Sequence, residues 1–378
     1  MTVIDLSQRG RAAAGPLKVE VYGGDRLAAA CWPSIADDPD LRMYVYQSRE
    51  FLQVWIDTIG RASRMECYLI VVRDGDGPLF YLPLAIEKKF NVRLLRFPDA
   101  GVADYNAPIV SAGRTLSEPD FNAVWPKILA VLPGFDVIDL KKIAGDVCGA
   151  VNPLTYLECT SYAESGHVMT VVGSRNNTET DRSIVNLRRD LRRHARGLSK
   201  LGETNFIVNP PAAESAWVTE RLFDLKRKKY ARTKVPDFLA APGVERFYRE
   251  MAAPGRLGRI SHLAALTSAG AVASAHLGFI GRGRFYYIFP AYDMAYQRYR
   301  VGLMLLEHLI DRCRDQQFRA FDLGIGDLSY KDTWATHRLP LYSHERALTA
   351  AGRLYIQMRR VRHFVQSTGM RTWLRAAH

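Results

Sequence analysis

The spacing of apolar residues divides the chain into short strands and amphipathic helices. Leu17–Tyr22 alternates as a half-buried strand does. Gln47–Ile59 carries Phe51, Leu52, Trp55, Ile56 and Ile59 on one helical face, with Ser48 placed as the N-cap. Cys67–Arg73 and Leu79–Ile86 read as strands joined by the turn Asp74-Gly75-Asp76-Gly77. Val92–Phe97 is a further strand, Phe121–Val131 a helix and Phe135–Leu140 a buried strand. In the second half, Ser183–Leu201 places Ile184, Leu187, Leu191, Ala195 and Leu198 in one stripe, and Ala216–Tyr230 is a second helix. Gly258–Ala265 and Ala271–Ile280 are strands, and the turn Gly281-Arg282-Gly283 leads into Arg284–Phe289. Leu303–Arg314 is a helix and Ala320–Leu323 a strand.

Both the order of elements and particular residues recur. Phe97-Pro98 followed by Asp104-Tyr105 is echoed by Phe289-Pro290 followed by Tyr292-Asp293. Phe135-Asp136-Val137-Ile138-Asp139-Leu140 is echoed by Phe318-Arg319-Ala320-Phe321-Asp322-Leu323, each after a helix. The pattern predicts two related α+β domains in tandem. Their boundary is expected near Val151–Ser174, where Pro153, Gly166 and Gly173 interrupt the spacing. The expected division is a loose leader over 1–16, domains over 17–160 and 161–345, and a basic C-terminal helix over 346–378.

Length and composition narrow the chemistry. A chain of 378 residues, 48% hydrophobic and 24% charged, has the profile of an ordered globular protein. Five scattered cysteines, Cys31, Cys67, Cys148, Cys159 and Cys313, with no CxxC pair, speak against a disulfide framework or a zinc site. No apolar run is long enough to span a bilayer, and Met1–Val21 lacks the apolar segment of a signal peptide, so a soluble, cytoplasmic protein is expected. The net charge of +13 is concentrated in two places. One is Arg182–Lys200, with Asp190 as its single acid; the other is Arg353–His378, with none. An anionic partner should meet these stretches first. On the first, Arg189, Arg193 and Arg196 share the side opposite the apolar stripe and are candidate contacts for an anionic ligand. The second could rest on the protein or make a peripheral contact with an anionic membrane.

Walker-type loops, HExxH and GxSxG are missing, and Gly324-Ile325-Gly326 lacks the third glycine of a dinucleotide fingerprint. Three other features carry chemistry. Tyr299-Arg300-Val301-Gly302-Leu303 opens an apolar helix, where free amides and a glycine suit an anion. The aromatic run Phe285–Phe289, with Tyr292 and Asp293, could floor a cleft. The strand Phe321-Asp322-Leu323 opens into Gly324-x-Gly326-Asp327 and the polar cluster Tyr330-Lys331. Asp293, Asp327 and His276 are candidate bases, Tyr330 a candidate acid and Lys331 a candidate stabiliser of negative charge.

The order of aromatic strand, Ala291-Tyr292-Asp293, Tyr299-x-x-Gly302, helix, then Asp322-Leu323-Gly324-x-Gly326-Asp327-x-x-Tyr330-Lys331 resembles the GNAT-type acyltransferases of the cellulose-biosynthesis CelD/BcsL group, relatives of the Fem peptidyltransferases. The Arg-rich helix and the basic patch Lys226–Tyr230 resemble that group as well. Of the usual GNAT loop, Arg/Gln-x-x-Gly-x-Gly/Ala, the chain keeps the last glycine, Gly302. The resemblance implies an α+β fold of two tandem GNAT-like domains, each a mixed, mostly antiparallel sheet flanked by helices. It implies acyl-CoA, acetyl-CoA in the simplest case, as co-substrate without a metal, its pyrophosphate meeting Tyr299, Arg300, Val301, Gly302 and Leu303. The acceptor would be a small molecule or cell-envelope saccharide precursor, with Tyr292 as a candidate contact and Arg189, Arg193 and Arg196 as candidate contacts for it or for the donor's phosphates. Two alternatives stand beside this: a Fem-like transferase using aminoacyl-tRNA, the one reading that includes nucleic acid, and a degenerate, non-catalytic GNAT binding protein.

Overall fold

The computed structural model of the chain describes residues 15–27, 30–36, 39–114, 116–171, 182–326 and 328–361. The main strands of the first half are β1 (Lys18–Gly23), β2 (Glu66–Asp74), β3 (Gly77–Lys89), β4 (Val92–Arg96) and β5 (Val137–Ala144). They are followed by β6 (Gly166–Thr170), β7 (Thr204–Val208), β8 (Ser261–Ser268), β9 (Ala271–Gly281) and β10 (Arg284–Tyr292). The last three are β11 (Ala320–Ile325), β12 (His337–Leu339) and β13 (Leu341–Ala347). The helices are α1 (Arg49–Trp55), α2 (Glu118–Ala130), α3 (Arg182–Leu198), α4 (Ala212–Thr233), α5 (Val244–Met251), α6 (Val301–Asp315), α7 (Ser329–Trp334) and α8 (350–361).

Local chemistry starts and stops these elements as the sequence suggests. Ser48 accepts the N–H of Phe51 at the start of α1, and Ser117 accepts that of Asp120 at the start of α2. The expected helix at Phe121–Val131 is therefore about a turn longer at its N-terminus. Lys234, left-handed at φ 54°, ends α4.

The strands form two mixed sheets. One runs β1-β2-β3-β4-β5-β13, with the two-residue strand Thr160–Ser161 at its edge; the other runs β7-β8-β9-β10-β11-β6-β12. All these neighbours are antiparallel except β4 with β5 and β10 with β11. The sheets exchange strands. β6, from the expected boundary segment, pairs with β11 and β12 of the second sheet. β13, at the end of the strand order, pairs with β5 of the first. Neither halfway cut of the chain would leave both sheets whole.

The exchange fuses the halves into a shared core. Phe51 of α1 packs edge-on against Phe247 of α5 and Phe279 of β9, with ring centroids 5.2 Å apart in each case. Tyr46 meets Tyr286 of β10 at 5.3 Å. Each such buried aromatic contributes on the order of 2–3 kcal/mol of burial. A second core lies on the other face of the second sheet, where Leu305, Leu309 and Ile310 of α6 and Leu191 and Leu198 of α3 cover Phe285 and Phe321. α8 sets Ile356 against Val92, Leu94 and Val137 and pairs Arg359 with Asp139 at 3.0 Å. This part of the basic C-terminus rests on the first sheet; residues 362–378 lie outside the described residues.

Candidate active site

Each parallel strand pair opens into a fork. In the second sheet β10 and β11 are in register only at Arg284↔Ala320, Phe285↔Phe321 and Tyr286↔Asp322. β10 continues beyond this, still bonded to β9 as far as Tyr292. From Tyr287 onward its inner edge faces a gap, and among the described residues no backbone bridge crosses it. Such an edge offers N–H and C=O groups at strand spacing to an extended ligand.

The chain turns at the mouth of this fork. Asp293 ends the strand by accepting the N–H of Ala295 at 2.9 Å and so caps the 3-10 turn Met294–Tyr299. Arg300 follows in the left-handed region, φ 55°, a conformation that glycine adopts more readily. α6 then begins; Leu303 donates its N–H to Arg300 O at 3.0 Å, and the amides of Val301 and Gly302, ahead of it, are in the positions a helix leaves without an internal partner. A side chain at Gly302 would place its Cβ 3.3 Å from the Tyr292 ring.

α3 lies against this turn. Asp190 gathers Arg193 at 2.5 Å, Arg300 at 3.0 Å and His194 at 3.4 Å. Gly197 lets Tyr299 approach; a Cβ there would be 3.3 Å from its ring. Arg188 fixes the helix across its neighbours, paired with Asp311 of α6 at 2.7 Å and stacked over Trp334 of α7. Arg189, Arg193 and Arg196 are exposed.

From Asp322 onward, β11 meets groups from both halves. Asp322 is fully buried; it accepts from Tyr105 Oη at 2.7 Å, Arg284 at 2.9 Å and the N–H of Gly324 at 2.9 Å. Next to it, the N–H of Ile325 donates to Asp104 Oδ2 at 3.2 Å, while the Ile325 carbonyl accepts from Lys331 Nζ. Burial pushes the Asp104 carboxyl up to about 6; Asp322 acts in the same direction, and Lys142 and Lys331 oppose both. Tyr330 packs with the α3–α6 core beside Tyr287, and burial raises its phenol to about 12, so it holds its proton at neutral pH.

The expected site residues thus divide. Tyr299, Arg300, Val301, Gly302, Leu303 and Tyr292 come together at the mouth of the fork. Tyr330 and Lys331 sit on α7 at its closed side. Asp293 stands apart from them as the cap described, with Arg221 3.8 Å away. His276 is fully buried and stacked on Tyr287 at 4.4 Å; burial holds it neutral, well below the usual imidazole range, and neither ring nitrogen has a partner among the described residues. Asp327 lies outside the described residues. Lys226, expected in a basic patch, is instead buried with its Nζ 3.9 Å from the Phe289 ring centre, and burial lowers it to about 7. Asp104, Tyr105 and Arg284 were not expected at the site. Their only signal was the Asp104-Tyr105 pair, which reads as part of the repeat.

Among the described residues, no group of His, Cys, Asp and Glu side chains could hold a metal ion, and no helix is long and apolar enough to cross a membrane. The segment that builds the open fork, the turn and most of α7 is the part of the chain that a family model matches. Residues 185–332 match the acetyltransferase (GNAT) domain. No curated protein matches the chain. Among solved structures, FemX is similar at 9% identity with a TM-score of 0.53, covering 80% of this chain and 92% of its own. A conserved protein of unknown function from Bacteroides thetaiotaomicron VPI-5482 is similar at 13% identity and TM-score 0.51, covering 84% and 95%. A tandem GNAT protein from the clavulanic acid biosynthesis pathway is similar at 12% identity and TM-score 0.45, covering 87% and 98%. At such identities the likeness is one of fold. The fold is the expected α+β arrangement of mixed, mostly antiparallel sheets flanked by helices, shared with FemX.

Proposed function

We propose that the chain moves an acyl group, acetyl in the simplest case, from a coenzyme A thioester to an amine or hydroxyl of a small molecule or cell-envelope saccharide precursor. The observation that supports this is the open fork between β10 and β11, with the start of α6 at its mouth and Tyr330 at its side. In this reading the α6 amides around Val301–Leu303 receive the donor's pyrophosphate, flanked by Tyr299 and Arg300. The free edge of β10 pairs with the amides of the pantetheine arm, and the thioester comes to rest near Tyr330. The phenol gives its proton to the leaving sulfur. The Lys331 ammonium steadies negative charge as the carbonyl is attacked. Arg189, Arg193 and Arg196 attract the donor's phosphates or an anionic acceptor. The resemblance to the CelD/BcsL group favours a cytoplasmic role in polysaccharide biosynthesis.

Calorimetry with coenzyme A tests the donor. We expect Gly302→Val to weaken binding more than tenfold, because the added side chain meets Tyr292 and displaces it into the mouth of the fork. Unchanged affinity in a folded variant would move the donor elsewhere.

The exposed arginines of α3, set against the turn, favour a second reading: a Fem-like transfer from aminoacyl-tRNA. A tRNA gel shift that weakens steeply with salt, without coenzyme A binding, would select it.

A further inference from the structure

We propose that Asp104, carried by the first half of the chain, is the general base for acyl transfer in the second half, taking the proton of the acceptor's N–H or O–H. This rests on the acyl-transfer reading above. The acceptor's lone pair forms the new bond to the thioester carbonyl carbon. The C–S bond breaks, and sulfur leaves with the electron pair and takes the Tyr330 proton. Asp104 takes the acceptor proton, and exchange with water returns both groups to their starting states.

Asp104 is held at the edge of the fork. Ile325 closes β11 at the lip of the gap, and its peptide groups hold Asp104 through N–H and Lys331 through C=O. A base and a cation are thus fixed on one residue at the edge of the fork. The backbone is shaped to admit the carboxylate. Gly324 has φ 74°, and a Cβ there would collide with Asp104 Oδ2. Asp104 also keeps part of its surface open, whereas Asp322 has none.

The two faces of the sheet carry different groups. Tyr330 and Tyr287 pack on the α3–α6 side. Asp104 approaches Gly324 beside Ile288, which belongs to the core shared with the first half. Acid and base therefore flank the gap from opposite faces. A donor entering on one face and an acceptor on the other would meet between them.

Asp104 is also less committed than Asp322 and Asp293. Asp322 is saturated by Tyr105, Arg284 and Gly324. Asp293 is committed to the turn. Asp104 has a single hydrogen bond among the described residues, to Ile325. Lys142 of β5, Asp322 of β11 and Lys331 of α7 face it, as do Tyr46, Tyr105, Tyr162 and Tyr248. The tyrosines stay neutral, and the two cations oppose burial and Asp322. The result is a carboxylate that ionises at about 6, ready to accept a proton at neutral pH. The Tyr46 hydroxyl, buried next to Asp104, has no hydrogen-bond partner among the described residues.

The test uses the full chain and an acceptor found by screening with labelled acetyl-CoA. Asp104→Asn keeps an oxygen for the Ile325 amide and removes the base. We expect kcat to fall at least about a hundredfold, with coenzyme A affinity within twofold of the parent. The rise of kcat/KM with pH centred near 6 should vanish in this variant and persist in Asp104→Glu. Near-parental turnover with the acidic limb intact in Asp104→Asn would overturn the proposal. Should that variant fail to bind coenzyme A through misfolding, the parent's pH profile and rescue of Asp104→Ala by formate decide, and a parent without a limb near 6 overturns it. A parent that binds no coenzyme A and transfers no acyl group is a different failure, that of the acyl-transfer reading itself.

Discussion

The two halves build the same fork and treat it in opposite ways. In the first half β4 and β5 are in register at Leu94↔Val137 and Leu95↔Ile138 and then separate, and the chain fills its own gap. Asn106 donates its N–H to Lys142 O at 2.8 Å and accepts that of Ala144 at 3.0 Å, while its side chain reaches Lys141 O and Asp99. In the second half the short turn 293–300 goes directly into α6 and leaves the gap open. The long segment 97–117 of the first half closes one fork and, through Asp104 and Tyr105, reaches the other. One half has become the scaffold and lends a residue to the half that keeps the opening.

The largest expected effect is on the open fork. Tyr330→Phe and Lys331→Met should each lower turnover by about a hundredfold at saturating donor, the size of one lost acid or oxyanion contact. Folded variants with near-parental turnover would make α7 a structural cap.

Stability should show its own asymmetry. Lys226 is lowered to about 7 in the folded chain and returns to about 10.4 when unfolded. Between these values the unfolded state binds the extra proton, so unfolding free energy rises with pH across that window, by a few kcal/mol in all. Lys226→Met should flatten this rise in denaturant titrations; an unchanged slope would place the lysine in water. At the closed fork, Asn106→Ala should cost about 1–3 kcal/mol, from lost buried hydrogen bonds, and leave coenzyme A affinity unaltered. A drop in affinity would show that both forks take part in donor binding.

The smallest effect concerns α3. Changing Arg189, Arg193 and Arg196 together to Gln should raise the donor KM a few-fold and spare kcat, since exposed charges add mainly uniform, salt-screened attraction. Kinetics matching the parent would leave these arginines as solvated charge.

Much of the fold could be read from periodicity because its strands are buried and regular. Leu69–Val72 and Leu263–Leu266 are apolar runs with almost no exposure. The strand exchange was not legible: β6 and β13 carry the same local pattern whichever sheet they join, and pairing partners are set by long-range packing. The turn proposed to hold the donor was visible as a glycine at an apolar helix start. Asp104 was not, because a carboxylate from one half enters the other half's site only through tertiary contact. Lys226 misled for a related reason: in sequence it belongs to a cationic run, yet its place on α4 turns it inward, while Lys228 and Lys229 are exposed.

Amide hydrogen exchange with and without coenzyme A compares the two forks most directly. Protection of Tyr287–Tyr292 and Val301–Leu303 is expected on ligand binding, at one coenzyme A per chain, with the amides of Leu94–Phe97 and Val137–Ala144 unchanged. Protection appearing at those first-half strands instead, or two equivalents bound per chain, would contradict the asymmetry of the two forks.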